Sequence, residues 1–261
     1  MKTTLITLAL ALLWACHSTP KGRTETPWIP LFNGKDLTGW DVKITGYPMN
    51  ENYMDIFTVK DGILKVSYDK PDSFRGEFGH LYSKQKYSHY KLRVEYRFTG
   101  KQCPGGPEWA IRNSGVMFHS QSAESMGLNQ DFPVSVEAQF LGGLGDGERT
   151  TLNVCTPGTD IDFNGQMVSG HCTNSSSKTY DGDQWVTAEI IVLGDSIIHH
   201  VIGGDTVLTY AHPRIGPDMK PEGFNVPNGT PLKEGYIALQ AESHNVEFRK
   251  VELLDLSGNR K

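Results

Sequence analysis

Three short stretches of this chain place side chains that transfer protons or bind hydroxyl groups on one side of a predicted strand. In VSVEAQFLGG, residues 134–143, the two-residue period of a strand puts Glu137 and Gln139 opposite the apolar Val136 and Ala138. The apolar side is typical of a core-lining strand, so the polar side faces either water or a cleft. These residues alone leave both interpretations open.

Two other stretches, GVMFHS (115–120) and YIALQAESH (236–244), repeat the pattern. Opposite their apolar residues they place Met117, His119, Tyr236, Gln240, Glu242 and His244. Carboxylates and imidazoles transfer protons, carboxamides hydrogen-bond to hydroxyl groups, and an aromatic ring packs against the face of a sugar. If the three strands are neighbours, they form a groove of carbohydrate size.

The rest of the chain shows the same alternation. KLRVEYRF, residues 91–98, alternates apolar and charged side chains, and Gly-rich turns divide residues 185–210 into further strands. No long amphipathic helix interrupts these strands. The pattern predicts an all-β fold, an antiparallel β-sandwich or jelly roll, formed by a single domain over residues 28–257 with a short tail at 258–261.

Two long loops, residues 99–115 and 211–235, are rich in Pro and Gly. Long loops in a sandwich either build walls over one sheet, where they serve a binding site, or cover a sheet edge. The sequence favours neither interpretation.

Charge excludes two classes of partner. The net charge is −5, and no long basic run occurs. Nucleic acids and anionic membrane surfaces both require a concentrated positive field, so we expect no nucleic-acid partner.

The N-terminus predicts export. Residues 1–15 have an early Lys2 and an apolar stretch, as a secretory signal peptide has. Residues 13–16 resemble a bacterial lipobox, which predicts lipid attachment at Cys16 followed by a polar tether over residues 16–27. Ordinary cleavage nearby is the alternative. In the first case the protein is a periplasmic or outer-membrane lipoprotein that contacts the membrane only through its lipid anchor.

Export makes a disulfide favourable. Asn164-Gly165 is a strong hairpin signal, and Cys155 and Cys172 lie nine and seven residues on either side of it. We therefore expect a Cys155–Cys172 disulfide and an unpaired Cys103. Residues 160–165 open like a calcium loop, but the twelfth position is not the required Glu, so a turn is the better interpretation.

The chain also resembles a known family. LFNGKDLTGW, YKLRVEYRF, RNSGVMFHS, VSVEAQFLGG, CTPGT and GYIALQAESHNVEFRKVELL occur in the order typical of the 3-keto-disaccharide hydrolase domain family. The resemblance implies a concanavalin-like jelly roll that acts on sugars oxidised at C3, and hence a sugar C3-oxidase acting upstream.

A C3 ketone acidifies the hydrogen on C2, so a base can remove it and the C1 substituent can leave by elimination, with hydration completing the cleavage. For this chemistry we expect Glu137 as the base and His119 as its acid–base partner. Arg112 and Asn113 are candidates for stabilising an oxyanion. The residues expected to orient sugar hydroxyls are Gln139, Gln240, Glu242 and His244.

Three questions stay open at this stage. A divalent metal is possible, because His119, Glu137, Glu242 and His244 would form a mixed nitrogen–oxygen ligand set if their strands adjoin. A non-catalytic glycan-binding module on the same fold is a second hypothesis. A conventional glycoside hydrolase is a third, although the sequence lacks the Glu-x-Asp-x-Glu arrangement familiar on this fold.

Overall fold

The computed structural model describes residues 27–168 and 170–259. The predicted signal peptide 1–15, Cys16 and the tether up to residue 26 lie outside these residues. Within them the only helical elements are short 3-10 turns, at Tyr53–Asp55, Glu108–Ala110, Ala123–Ser125 and Ser257–Asn259. No helix in the described part of the chain is long and apolar enough to span a bilayer.

The described residues form seventeen strands. They are β1 (Ile29–Pro30), β2 (Trp40–Ile44), β3 (Phe57–Lys60), β4 (Ile63–Val66), β5 (Gly79–Ser83), β6 (His89–Phe98), β7 (Asn113–Ser120), β8 (Val136–Leu141), β9 (Asn153–Cys155), β10 (Thr159–Phe163), β11 (Gln166–Val168), β12 (Cys172–Thr173), β13 (Val186–Leu193), β14 (Ile197–Ile202), β15 (Asp205–Ile215), β16 (Tyr236–Ala241) and β17 (Val246–Asp255).

These strands form two antiparallel sheets. The larger has the order β11-β10-β15-β14-β13-β6-β17-β4-β3, with β1 also paired to β17. The smaller has the order β12-β9-β8-β7-β16-β5-β2. The predicted fold class, an all-β antiparallel sandwich of the concanavalin-like jelly-roll type, is confirmed.

The core lies between the two sheets, where the alternation of the sequence predicts it. On β6, Leu92, Val94 and Tyr96 are buried, while the alternate residue Arg93 forms ion pairs on the outer face. The Tyr96 ring stacks on Phe140 of the smaller sheet with ring centroids 4.1 Å apart. Each such buried side chain stabilises the fold by about 1.5–3 kcal/mol.

The three polar stretches belong to one sheet. Strands β8, β7 and β16 are consecutive neighbours, with Met117 opposite Glu137 on one side and opposite Ala238 on the other. Val116 and Val136 face the core. The condition on which the predicted groove depended, that the three strands adjoin, is therefore met.

The disulfide prediction is confirmed. Cys155 on β9 is bonded to Cys172 on β12, and Cys103 is a buried free thiol. The hairpin at Asn164-Gly165 joins β10 to β11, as predicted. The neighbouring Asp162 accepts a hydrogen bond of 2.8 Å from His212 and another from Arg214.

Candidate active site

A cavity lies on the face of the smaller sheet that points away from the core. Its volume is about 540 Å³, within the range of small-molecule sites. We call it the first cavity. Its lining residues are Trp109, Asn113, Phe132, Glu137, Gln139, Leu141, Arg149, Cys155, Pro157, His171, Cys172, Met219 and Glu242. Four predicted site residues therefore share one cavity: Asn113, Gln139, Glu137 and Glu242.

Two glutamates approach each other across strand β7. Glu137 belongs to β8, and Glu242 follows the end of β16 on the other side of β7. Between them β7 carries Gly115, where an added Cβ would lie only 2.5 Å from Glu137 Oε1. The Glu137 carboxyl group therefore extends over the backbone of β7, in the direction of Glu242.

The two carboxyl groups are almost fully removed from water. Glu137 is 5% exposed and Glu242 is 3% exposed. Burial raises the pKa of both, and the negative charge of Glu137 raises the pKa of Glu242 further. Two close carboxyl groups in such surroundings hold one proton between them, so one acts as a base while the other acts as an acid. Burial favours the neutral form of each carboxyl group, and a charge on Glu137 makes ionisation of Glu242 harder still.

Several polar groups around the pair have no partner among the described residues. They include Oε2 of Glu242, Oδ1 of Asn113 and both side-chain polar atoms of Gln240, which is fully buried. Buried polar groups are normally hydrogen-bonded, so a concentration of unpaired ones marks a place where a ligand can bind. Gln139 differs because it accepts a hydrogen bond of 3.1 Å from Asn153.

A cation in the first cavity was missed by the sequence analysis. The Arg149 guanidinium lines the cavity, and its Nη1 donates to the Gly142 carbonyl at 2.6 Å. Arg149 lies in the loop between β8 and β9, outside the alternating strands from which the candidates were chosen. Its position can stabilise negative charge that develops on a bound ligand.

An aromatic wall was also missed. Trp109, from the long loop 99–115, is 51% exposed, and its ring stacks on Phe78 with centroids 5.8 Å apart. Met219 of the loop 211–235 lines the same cavity. Both long loops therefore contribute walls to the site, and a tryptophan within a Pro/Gly-rich loop was the available sequence signal.

His119 lies elsewhere, and the expectation that it shares the face of Glu137 is wrong. Strand β7 has one extra residue relative to β16 between Met117 and Ser120, a bulge at which His119 adopts a φ of 48°. Its Nε2 donates to the Gly194 carbonyl at 3.0 Å, in the turn between β13 and β14. Burial lowers the pKa of His119 to about 4. His119 lines another cavity, of about 270 Å³, whose lining does not include Glu137. We call it the third cavity, because a second one is described next.

Arg112 and His244 line a second cavity of about 490 Å³. Arg112 contacts Asp183 at 3.2 Å and the carbonyl of Gly182, and its guanidinium lies over the Phe98 ring. His244 is 3% exposed. Neither residue lines the first cavity, so the structure places neither beside the glutamate pair.

The proposed metal ligands do not form one set. Glu137 and Glu242 line the first cavity, His244 the second and His119 the third. Among the described residues, the group whose donor atoms converge is Cys155, His171 and Cys172, and its two sulfur atoms are bonded to each other. The four predicted donors therefore do not fit a single metal ion.

The fold and the first cavity together define a jelly-roll sandwich with a buried carboxyl pair in a groove of sugar size. Residues 27–254 match the family model of the 3-keto-alpha-glucoside-1,2-lyase-like domain. The chain belongs to this family and is a carbohydrate-active protein. No curated protein sequence matches it.

Two solved structures support the same fold. Two proteins from Parabacteroides distasonis ATCC 8503, each described as a "putative glycosyl hydrolase", are similar to this chain. One is 18% identical, with 88% of this chain and 100% of that chain covered and a TM-score of 0.51. The other is 17% identical, with 89% and 95% covered and a TM-score of 0.53. The Bacillus licheniformis beta-glucanase is 13% identical, with 89% and 99% covered and a TM-score of 0.48.

Proposed function

We propose that the protein cleaves 3-keto-glycosides by removing the C2 proton and eliminating the C1 substituent. The observation that carries this proposal is the buried pair of Glu137 and Glu242, which closes over Gly115 inside a sugar-sized cavity of a family member. Such a pair supplies a base and an acid at one place, which is what an elimination requires.

In the first step the Glu137 carboxylate takes the proton from C2. The electron pair of the C2–H bond moves onto the C3 carbonyl oxygen and gives an enolate. The Arg149 guanidinium lines the cavity and stabilises that oxygen. Asn113 Nδ2 donates one N–H to the Trp109 carbonyl at 3.3 Å and contributes its second N–H to the same oxygen. Arg149 thus takes the role that the sequence analysis gave to Arg112.

In the second step the enolate electrons form the C1=C2 double bond and the C1–O bond breaks. Glu242 donates its proton to the departing oxygen, which leaves as an alcohol. Addition of water across C1=C2 then yields a free 3-keto sugar, and the whole sequence is a net hydrolysis. Trp109 supplies an apolar plate for the sugar ring during these steps.

The biological setting is part of the proposal. We infer an exported lipoprotein, anchored through Cys16, because residues 1–16 have the features of a lipoprotein signal. The Cys155–Cys172 disulfide supports an oxidising compartment. The reaction that supplies the substrate must oxidise C3 of a glycoside.

The test compares a native disaccharide with its 3-keto form in heavy water. We expect cleavage of the 3-keto form only, with deuterium at C2 of the released ketosugar. Glu137→Gln should lower kcat by about 10²–10⁴-fold, the usual contribution of a general base. The matched control is Glu51→Gln at an exposed site, which should cleave like the wild type. Equal rates for Glu137→Gln and the wild type, or a product without deuterium at C2, would contradict the proposal.

A conventional glycoside hydrolase is a second candidate, favoured by one observation, the presence of two carboxyl groups in a single cavity. It predicts release of reducing sugar from the native disaccharide. Saturable binding of the native sugar without turnover of either substrate would instead identify a glycan-binding module.

A further inference from the structure

The third cavity lies where β7 ends and β16 begins, and it has no lining residue in common with the first cavity. The ends of these two strands form one wall, and the loop between β15 and β16 forms the other. Its volume of about 270 Å³ is just below the range of roughly 300–1,000 Å³ that drug-sized ligands occupy. The third cavity therefore has room for a single small ring.

A bulge in β7 places His119 at this wall. Unbroken alternation would put His119 on the face of Met117, whereas the extra residue and the left-handed φ of 48° turn it away from that face. Gly235 packs directly against the bulge, because an added Cβ there would lie 2.3 Å from the carbonyl carbon of His119. Backbone held in a sparsely populated conformation is common at binding sites. Two irregular features of the backbone thus hold one histidine at the cavity.

His119 presents a hydrogen-bond acceptor without a partner. Its Nε2 donates to the Gly194 carbonyl, so Nδ1 of the neutral ring carries a lone pair. The side chain is 2% exposed, and Nδ1 has no hydrogen-bond partner among the described residues. Burial lowers the pKa of His119 to about 4, which keeps the ring neutral at pH 7. A ligand at Nδ1 must therefore supply a donor such as a hydroxyl group, and the lone pair would repel an anion.

The charges at the rim of the third cavity offset each other. Lys86 and Glu234 are the charged side chains among its described lining residues, with Lys86 Nζ 3.7 Å from Glu234 Oε1. Both are more than half exposed, so each keeps hydrogen-bonding capacity for a ligand. An ammonium group donates to hydroxyl oxygens, and a carboxylate accepts from hydroxyl hydrogens. The rim therefore suits a neutral ligand with several hydroxyl groups.

Two half-buried aromatic side chains, Tyr236 and Phe224, line the same cavity. Tyr236 begins β16, and Phe224 belongs to the facing loop. Aromatic rings pack against the C–H faces of sugar rings, which gives a ring-shaped polyol an advantage over an open-chain one. A neighbouring cavity of about 840 Å³ shares Phe224 and Val226 with the third cavity. A chain of sugar rings can therefore continue beyond the ring that contacts His119.

We propose that the third cavity is a second carbohydrate site, which binds one ring of a native, unoxidised glycan and does not cleave it. His119 Nδ1 accepts a hydrogen bond from a ring hydroxyl, Lys86 and Glu234 bind further hydroxyl groups, and Tyr236 and Phe224 contact the ring. Glu234 is the single carboxyl group of the lining, so the cavity lacks the acid–base pair of the first cavity. This site does not depend on the proposed function.

The experiment measures dissociation constants by NMR titration, with methyl glucoside, methyl galactoside and methyl mannoside as separate probes. We expect at least one of them to bind to the wild type. His119→Leu keeps most of the side-chain volume and should raise the dissociation constant by about fivefold, the value of one neutral hydrogen bond. Phe224→Ala should raise it by a similar factor through loss of the ring contact, and it serves alone if His119→Leu does not fold.

Two control variants separate the third cavity from other sites. His199→Leu, on β14 of the larger sheet, should bind like the wild type. Trp109→Ala, in the wall of the first cavity, should also keep the wild-type dissociation constant. Glycerol, which has hydroxyl groups but no ring, should not displace the probe.

Three results would overturn the proposal. The first is that none of the three probes binds to the wild type. The second is a loss of binding in Trp109→Ala with wild-type binding in the folded His119→Leu and Phe224→Ala variants, which would assign the sugar to the first cavity. The third is displacement of the probe by an equal concentration of glycerol, which would show that the cavity does not select a ring.

Discussion

At the scale of single residues, Glu137 and Glu242 are held where ionised carboxylates are costly. Both are nearly excluded from water, and the structure shows no Arg or Lys in an ion pair with either among the described residues. Removing an ion from water without an adequate partner costs several kcal/mol. The two buried carboxyl groups therefore lower the stability of the folded protein, and their raised pKa values suit them to proton transfer, as is common in active sites.

The burial of Glu242 predicts that Glu242→Gln is more stable than the wild type at high pH. The pKa of Glu242 in the folded protein is raised above its unfolded value of about 4.3. Between these two pKa values the folded state binds more protons than the unfolded state. Stability of the wild type falls across this window, and a neutral amide does not titrate. The midpoint of thermal unfolding of Glu242→Gln should therefore exceed that of the wild type at pH 9, by about 2–4 °C per kcal/mol of relieved repulsion and desolvation.

The same comparison at pH 4 is the internal control. There Glu242 is protonated in the folded state and mostly protonated in the unfolded state, so the two unfolding midpoints should nearly converge. Glu51→Gln, at an exposed position, should match the wild type at both pH values. A Glu242→Gln midpoint at or below that of the wild type at pH 9 would contradict the account of the buried pair.

At the scale of elements, β7 lies between the strands that carry or lead to the two glutamates and separates them only by its backbone. Its residue Gly115 has no side chain, and the Glu137 carboxyl group occupies the space that a Cβ would take. The strand on one side supplies Glu137 and the strand on the other leads to Glu242. The geometry of the pair thus depends on three adjacent strands and on one missing methyl group.

Gly115→Ala is expected to separate the pair. A methyl group 2.5 Å from Glu137 Oε1 must displace that carboxyl group. We expect kcat to fall by about 10²-fold, the effect of a small misplacement of a catalytic group, with KM nearly unchanged. Gly170→Ala, at an open position where an added Cβ meets nothing within 4 Å, is the matched control for the Gly-to-Ala change. Wild-type kcat in Gly115→Ala would show that the pair does not need its close approach.

The two-residue alternation of the strands could be predicted from the sequence, whereas the bulge in β7 and the ends of the strands could not. Alternation correctly placed Glu137, Gln139 and Glu242 on one face, because each lies on or just after a regular strand. It failed for His119, because a bulge shifts the face of every residue beyond it and leaves no mark in the polarity pattern. Arg112 and His244 lie past the strand ends, where the period no longer determines direction.

At the scale of the whole molecule, the sandwich and its disulfide were predictable and the walls of the cavity were not. Period-two alternation and turn residues determine a two-sheet fold, and the hairpin at Asn164-Gly165 brought Cys155 opposite Cys172. The positions of Trp109 and Arg149 depend on how long loops pack over a finished sheet. A tryptophan in a Pro/Gly-rich loop signals a possible wall, but no local pattern determines which loop residues reach the cavity, which is why both residues were missed.

Reduction of the disulfide is expected to destabilise the protein. The bond closes a chain segment with a separation of 17 residues, which corresponds to about 3 kcal/mol in the loop-entropy model. The midpoint of thermal unfolding should fall by about 6–12 °C under reducing conditions. Cys103→Ser, which removes only the free thiol, should show the same fall on reduction.

The double variant Cys155→Ser with Cys172→Ser should have the lower midpoint without any reductant. Because both cysteines line the first cavity, we also expect its KM to rise. Equal midpoints for the oxidised and reduced wild type would show that the bond does not constrain the unfolded chain.

The space beside Gly115 that a side chain would need also has an evolutionary consequence. Because the Glu137 carboxyl group fills that space, a mutation of Gly115 to any larger residue removes the benefit of a glutamate at both neighbouring positions. Homologous sequences should therefore change at these three positions together. Lineages that lost the glycine should have lost one of the two acids and, with it, the proposed elimination.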